Sequence, residues 1–399
     1  MNVKNCVISK QTNRPAMSLV YDAITGPYLM TQPDEFVREK DFLGYVTEIH
    51  PPVNLTDFYE KLRRYNVPLL SGKSVFSLAL PPGLFYQNKN ILIQDGILIT
   101  GVLTKSSIGL GHNTITQAIH NDFGALVTAD YLTNVYKISS LFLTKKGFTV
   151  GIKDCLPEDE SAKKAINSEI ERAEIYLESL GLPPSDSTEA RRQEDQIRAN
   201  LNRAQNIGAK LSQEIFGDDN NLRIMSLSGA KGNDSNIAQI SGLLGQQFTK
   251  DNRRPIASID KGRRCLPFFE QNSLEPEARG FCHGNFLSGL DPAEFVFHAY
   301  TSRFGLIDKS INTAIVGDFN RHVLKTVEDL KTGIDKQVIS SGKAIKQFLY
   351  GFDSMETSKL ENVRTKKGII PSFINVKRLS GRLNNKYGFK LIDGKWIEV

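Results

Sequence analysis

Apolar positions change their period along this chain, and each change predicts a different kind of element. Residues 1–150 carry short apolar alternations broken by glycine and proline. Val75-Phe76-Ser77-Leu78-Ala79-Leu80 and Ile91-Leu92-Ile93 read as strands, with helices expected over Thr56–Tyr65 and about Thr114–Leu141. Residues 157–216 switch to steps of three and four: Ala162, Ala165, Ile166, Ile170, Ala173, Leu177 and Leu180. Gly181-Leu182-Pro183-Pro184 breaks that stripe, and Asp186 with Glu189 restarts it at capping-box spacing. Ala190, Ile197, Leu201, Ala204, Leu211 and Ile215 then form a mostly heptad stripe ending at Gly217. The pattern predicts a helical hairpin, and nothing in it is catalytic.

From Arg279 onward the pattern changes again. Asp291 stands at an N-cap position, Pro292 suits the first helical position and Glu294 completes a capping-box spacing. No proline follows until Pro371. A helix from Pro292 to about Leu330 is predicted, roughly 55–60 Å long at 1.5 Å per residue. Its middle, Asn312-Thr313-Ala314-Ile315-Val316-Gly317, sets β-branched residues beside a glycine, which costs about 1 kcal/mol relative to alanine. At 100° per residue, Arg303, Ser310, Thr313, Ala314, Gly317 and Arg321 fall within an arc of about 100°. One face thus carries a cation at each end and small residues between. Such a face admits a flat polyanionic ligand close to the backbone. On the pattern alone, a solvated polar stripe on an ordinary long helix accounts for it as well.

The residues of this segment carry a resemblance. Arg279-Gly280-Phe281, Asn285-Phe286-Leu287, Gly289-Leu290, Pro292, Glu294-Phe295, Phe297-His298-Ala299, Arg303, Gly305-Leu306-Ile307-Asp308, Thr313-Ala314, Gly317 and Arg321 match a known block. The segment resembles the bridge helix, with its preceding block, of the largest subunit of multisubunit DNA-directed RNA polymerases. A second block, Gly229 to Gln247, resembles that family's glycine-lysine-glycine and Gly-Gln-Gln signature. Val7–Thr31, Leu69–Pro82, Ile91–Gly109, Gly147–Cys155 and Gln347–Met355 follow the family order, and about the last 25 residues resist placement.

The resemblance implies an α+β, mixed multidomain segment: an α/β pore region over 1–146, a funnel domain over 147–278 with the hairpin 157–216, and the start of a cleft domain over 279–399 with a bridge helix about 292–330. Thr313, Ala314 and Gly317 would face the templating position, with Arg303 and Arg321 anchoring strands or neighbouring modules. Lys231 beside Gly232 would meet a nucleoside triphosphate on its way inward, although glycine-flanked lysines are common in turns. Gln246 and Gln247 would brace their block against the helix by buried hydrogen bonds. The hairpin would stand beside the nucleotide-entry channel as a platform for regulators.

The family's Asn-Ala-Asp-Phe-Asp-Gly-Asp loop does not occur in this sequence. The resemblance places that loop just upstream and the trigger loop downstream, so the chain is expected to be one piece of a split subunit or a fragment. Magnesium is expected in the assembled enzyme, bound outside this chain. Expected partners are the second-largest subunit, the remaining parts of the largest subunit, the DNA template, the RNA–DNA hybrid and nucleoside triphosphates. The alternative is a non-enzymatic, polymerase-derived interaction fragment. Phe304, Ile315, Val316 and Asp318 depart from the family. Asp318 sets a negative charge where template contact is expected, and divergence of this depth points to a fast-evolving source such as a large DNA virus.

Composition narrows these readings little. The chain has 399 residues and a net charge of +6, compatible with nucleic-acid contact without requiring it. No apolar run approaches membrane-spanning length and Met1 is not followed by an apolar signal region, so an intracellular place is expected: nucleus, host cytoplasm or virion. Cys6, Cys155, Cys265 and Cys282 are far apart, and none of the six histidines has ligand spacing, so no zinc is expected. Gly109-Leu110-Gly111 lacks the rest of a phosphate-loop fingerprint and reads as a turn. Lys250, Arg253, Arg254, Lys261, Arg263 and Arg264 form one basic cluster. From Lys359 to Val399 ten Lys/Arg stand against three Asp/Glu, a net of +7. Both suit phosphate contact, a solvated surface or an acidic partner.

Overall fold

The computed structural model of the chain describes residues 2–88, 90–156, separate positions between 164 and 203, residue 217, and 219–248. It further describes 259–260, 263–271, 273, 275–365, 368–392 and 395–398. Contacts group the chain into two compact units. One comprises 1–149, 224–231 and 355–399, the other 150–223 and 232–354. Helices and small antiparallel sheets make up both, an α+β arrangement.

The first unit is built around two helices, Asp22–Met30 (α1) and Ala125–Lys146 (α7). Around them lie Glu39–Glu48 (α2), Leu55–Arg64 (α3), Gly72–Ser77 (α4), Lys105–Ile108 (α5) and Ile115–Phe123 (α6). Tyr86–Asn88 (β1), Ile91–Gln94 (β2) and Ile97–Thr100 (β3) form an antiparallel sheet in that order. Phe42, Tyr45, Phe76, Ile93 and Tyr131 are among its fully buried side chains. Helix α3 begins where the Asn54 side chain accepts from the Thr56 backbone N–H at 3.1 Å.

Two expectations are corrected here. Val75–Leu80 is not a strand. Ser71 caps α4 by accepting the Ser74 N–H at 3.3 Å, and the chain turns on through Leu80 with residues 75–80 all buried. The helix expected over Thr114–Leu141 is two helices, divided at Gly124, whose φ of 86° neither helix continues.

The C-terminal segment belongs to this same unit. It comprises a hairpin of Glu361–Thr365 (β9) and Gly368–Ser372 (β10), then a helix Val376–Lys386, then a second hairpin of Phe389–Ile392 (β11) and Lys395–Glu398 (β12). The helix docks closely: a Cβ at Gly381 would stand 2.3 Å from the Phe85 ring. Arg382 lies 3.0 Å and Arg378 3.3 Å from Asp122 Oδ1, and Arg378 also pairs with Glu361. Two cations of the basic tail are therefore neutralised within the unit.

The second unit contains Ile152–Cys155 (α8) and, after Asn221–Ser228 (α9), Asp234–Ile237 (α10), which runs into a wider turn at 238–242. Gly245–Gln246 (β4) pairs antiparallel with Phe281–Cys282 (β5). Then comes the long helix, Pro292–Val327 (α11), of 36 residues, about 54 Å at 1.5 Å per residue. It ends three residues short of the expected Leu330. Lys331–Thr332 (β6), Val338–Ile339 (β7) and Ile345–Gln347 (β8) form a small sheet after it.

Most of the expected hairpin 157–216 lies outside the described residues. Ile197 and Leu201 are described; both are helical, one turn apart, and buried at 4% and 2% exposure.

Candidate nucleic-acid interface

Helix α11 starts from a loop held by one carboxylate. Glu294 Oε1 accepts the His283 N–H at 2.6 Å and the Gly284 N–H at 3.0 Å, while Oε2 accepts the Asp291 N–H at 3.1 Å. The capping-box position thus ties three backbone donors to the first turn. Glu294 is buried and His283 and Gly284 are half-buried, so the two bonds at Oε1 are partly shielded from water, whereas Asp291 is exposed. Nearby, Cys282 is buried and donates its thiol toward the Glu294 carbonyl at 3.7 Å. Burial, aided by the Glu294 and Glu277 charges, pushes that thiol up to about 12.

The end of the Gly229–Gln247 block meets the same helix start. Gln246 Nε2 donates to the Arg279 carbonyl at 2.9 Å, and Gln247 Oε1 lies 3.2 Å from His298 Nδ1. Asn285 joins the same corner: its Nδ2 donates to the Gly242 carbonyl at 2.9 Å, and its Oδ1 accepts the Ser288 N–H at 2.7 Å. The His298 ring packs edge-on to Phe286, centroids 5.5 Å apart.

Beyond its first turns α11 is exposed on every side. Arg303, Thr313, Ala314, Gly317 and Arg321 are all solvent-facing, and a Cβ built at Gly317 would meet nothing within 4 Å. The Thr313 hydroxyl bonds back to the Lys309 carbonyl at 2.7 Å, which leaves the methyl group turned outward. Asp318, the family departure, lies 3.5 Å from His322 Nδ1. A second stripe, Ile307, Ile311, Ile315, Phe319 and Val323 at four-residue steps, winds from beside the small-residue face round to the opposite side. All are exposed, Phe319 at 67%. An apolar stripe of this length, left in water, marks a surface built to be covered.

Lys231 and its turn belong to the first unit, Gly232 to the second. Gly229 and Gly232 have φ of 75° and 76°, which favours glycine at both places. Gly229 is also tight: a Cβ there would sit 2.7 Å from Lys105 Cβ. Lys231 is exposed, with its ammonium 5.1 Å from the centroid of the Tyr21 ring. Tyr21 itself has φ of 53°, an uncommon conformation for a bulky residue, and nothing in the sequence signalled it.

Of the basic cluster in 250–264, Lys250, Arg253, Arg254 and Lys261 lie outside the described residues. Arg264 pairs with Asp260, and Arg263 donates to Gln271 Oε1 at 3.3 Å. Among the described residues no group of three or more His, Cys, Asp or Glu side chains converges as a metal site. Nor, among them, is any helix long and apolar enough to cross a membrane.

Comparison with known proteins places the chain. Residues 6–155, 177–282 and 289–384 match RNA polymerase Rpb1 domain 3, domain 4 and domain 5, in that order. The chain is 29% identical to DNA-directed RNA polymerase III subunit rpc1 of Schizosaccharomyces pombe, over 90% of this chain and 28% of that protein. It is 30% identical to DNA-directed RNA polymerase subunit Rpo1N of Methanocaldococcus jannaschii, over 97% of this chain and 30% of the relative. Against DNA-directed RNA polymerase III subunit RPC1 of Saccharomyces cerevisiae the identity is 28%, over 90% and 27%. The chain thus spans under a third of the length of these relatives.

Proposed function

We propose, from the premise that this chain belongs to the RNA polymerase Rpb1 family across three successive domains, that it forms the pore, funnel and bridge-helix portion of a DNA-directed RNA polymerase largest subunit. In that role it takes part in template-directed RNA synthesis, a nucleotidyl transfer.

The observation that carries this reading is α11. It lies within the domain 5 match, begins from the Glu294-tied loop and then runs exposed for most of its length. One face presents small residues between Arg303 and Arg321, and the Ile307–Val323 apolar stripe winds away from its edge round the rest of the helix. A helix with both faces unmet fits one set between macromolecular surfaces. Thr313, Ala314 and Gly317 let a base pair of the template–RNA hybrid approach the backbone. Arg303 and Arg321 offer bidentate donors to phosphate or to a neighbouring module. The apolar stripe packs on other parts of the polymerase, the second-largest subunit and the rest of the largest subunit among them.

Lys231 serves the incoming nucleoside triphosphate. Its hold on the Tyr21 ring is worth about 0.5–1 kcal/mol at an exposed site, weak enough for phosphate to compete. The described residues do not assemble a magnesium site. Magnesium, expected in the assembled enzyme, would be held outside this chain and would offset the negative charge of the reacting phosphates. This chain contributes orientation: Gln247 and Glu294 hold the helix start, and the helix holds the small-residue face.

The test is recovery of the complex on an affinity-tagged chain. Large polymerase subunits should co-purify, and the complex should extend RNA on a DNA template. A chain recovered without such partners, in a preparation that extends no RNA, would favour the non-enzymatic interaction fragment.

A further inference from the structure

The first unit contains a cavity of about 430 Å³ that the polymerase reading does not use. One wall is a stripe of α7: Val127, Asp130, Tyr131 and Asn134 recur at steps of three and four and all line it. Facing segments supply Phe58 and Lys61 from α3, the turn Leu78–Pro82, and Pro51–Val53. The lining is largely apolar, and its volume falls within the range of small-molecule sites, roughly 300–1,000 Å³.

The walls are fixed before any ligand arrives. The Asn134 side chain accepts the His50 N–H at 3.1 Å and donates to the His50 carbonyl at 2.8 Å, which pins the start of the proline wall. Asp95 Oδ1 accepts the Gly83 N–H at 2.9 Å, and Ser77 Oγ accepts the Leu98 N–H at 2.9 Å. A pocket held this way does not have to order its own backbone to bind.

Its charge is one-sided. Three carboxylates line it, Asp57, Asp95 and Asp130, against one cation, Lys61, a formal balance of −2. Lys61 Nζ lies 2.9 Å from Asp57 and 3.4 Å from Asp95 and so serves both. Asp130 is exposed at the rim, one turn before Asn134. A phosphate-bearing ligand would be repelled, whereas a cation is attracted over an apolar floor.

We propose that this cavity is a binding site for a small organic molecule with an apolar body and a single cationic amine. The apolar body fills the space between Phe58, Tyr131 and the proline walls, and the amine meets Asp130 with Asp57 and Asp95 behind it. The site is independent of nucleic acid and of the reading of α11.

The test uses the full chain, 4-phenylbutylamine as probe and 4-phenylbutanol as its uncharged match, with binding read by calorimetry and by saturation-transfer NMR. The amine should bind one to one, and the alcohol more weakly by up to about fivefold, the most that a single exposed ion pair usually contributes. Asp130→Asn should weaken the amine alone, by up to about fivefold. Val127→Trp, which fills the cavity from α7, should abolish binding of both probes. Val53→Phe fills it from the proline segment and replaces Val127→Trp if that variant melts early. No amine binding at millimolar concentration, equal binding of amine and alcohol, or binding that survives the folded filling variant would each overturn the assignment.

Discussion

Gln247 Oε1 stands 3.2 Å from His298 Nδ1, so the amide that closes the Gly229–Gln247 block is joined to the first turns of the 36-residue helix. Gln247 is buried and His298 half-buried, so neither side chain has ready access to water in exchange. Gln247→Leu keeps the bulk and removes the acceptor, and should cost about 1–3 kcal/mol by leaving the ring nitrogen unmet. Urea unfolding of the two chains measures this. A loss near zero would mean that the contact does not hold the helix start.

Glu294 gives a larger effect. Glu294→Ala strips the acceptor from the His283, Gly284 and Asp291 N–H groups together. The expected loss is roughly 3 kcal/mol, with faster amide exchange at residues 283–291. Glu294→Gln keeps one acceptor oxygen and should fall between. If the alanine variant matches the parent in both measurements, the loop is held by something else.

The thiols should separate by reactivity. Cys6 is exposed, whereas Cys282 is buried with its pKa raised to about 12. At pH 8 about one Cys282 in ten thousand is ionised, and the thiolate is the reactive form. Alkylation of the folded chain followed by mass mapping should label Cys6 and spare Cys282 until denaturant is added. Equal labelling would show that the β4–β5 corner opens readily.

Asp122 makes a prediction about pH. Burial raises its carboxyl above the usual range, against the opposing pull of Arg378 and Arg382. A folded-state pKa above the unfolded one means that the folded chain holds the proton more tightly. The group's contribution is therefore fullest below the ordinary value of about 3.9 and is lost as pH rises through the raised one. Asp122→Asn removes that loss, so the variant's stability relative to the parent should climb with pH across this acid window. A relative stability that falls instead would mean that the ion pairs outweigh burial.

The start of α11 was readable because its signals act locally: Asp291 and Glu294 pair across the first turn, and Pro292 fills the first helical position, where no N–H is needed. Helix α3 and strand β2 were readable for the same kind of reason, one from its cap and charged face, the other from a short apolar run beside a turn. Val75–Leu80 misled because it is buried throughout; with no solvent side, its residues show no period to separate strand from helix. The division at Gly124 left only a single glycine as its sign. At the site, the face Thr313–Ala314–Gly317 followed from spacing alone. The His283 and Gly284 N–H groups gathered by Glu294 lie outside the helix, and the Tyr21 ring beneath Lys231 lies far away in sequence, so neither contact left a local trace.

The chain alone should not synthesise RNA when given template, nucleotides and magnesium, because it has no Asn-Ala-Asp-Phe-Asp-Gly-Asp loop and its described residues gather no metal site. Incorporation of labelled nucleotide by the purified single chain, above an enzyme-free control, would contradict the assignment of metal binding to other parts of the assembly.

The most direct measurement concerns Gly317. A side chain there meets nothing within 4 Å in the free chain, and leucine raises local helix propensity by roughly 0.5–1 kcal/mol. Gly317→Leu should therefore fold at least as well as the parent and enter the polymerase complex to the same extent. If the Thr313–Ala314–Gly317 face receives a base pair, elongation by that complex should collapse, since the leucine occupies the space the base pair needs. The experiment reads elongation rate beside subunit incorporation. Normal elongation with the variant fully incorporated would mean that this face never meets nucleic acid.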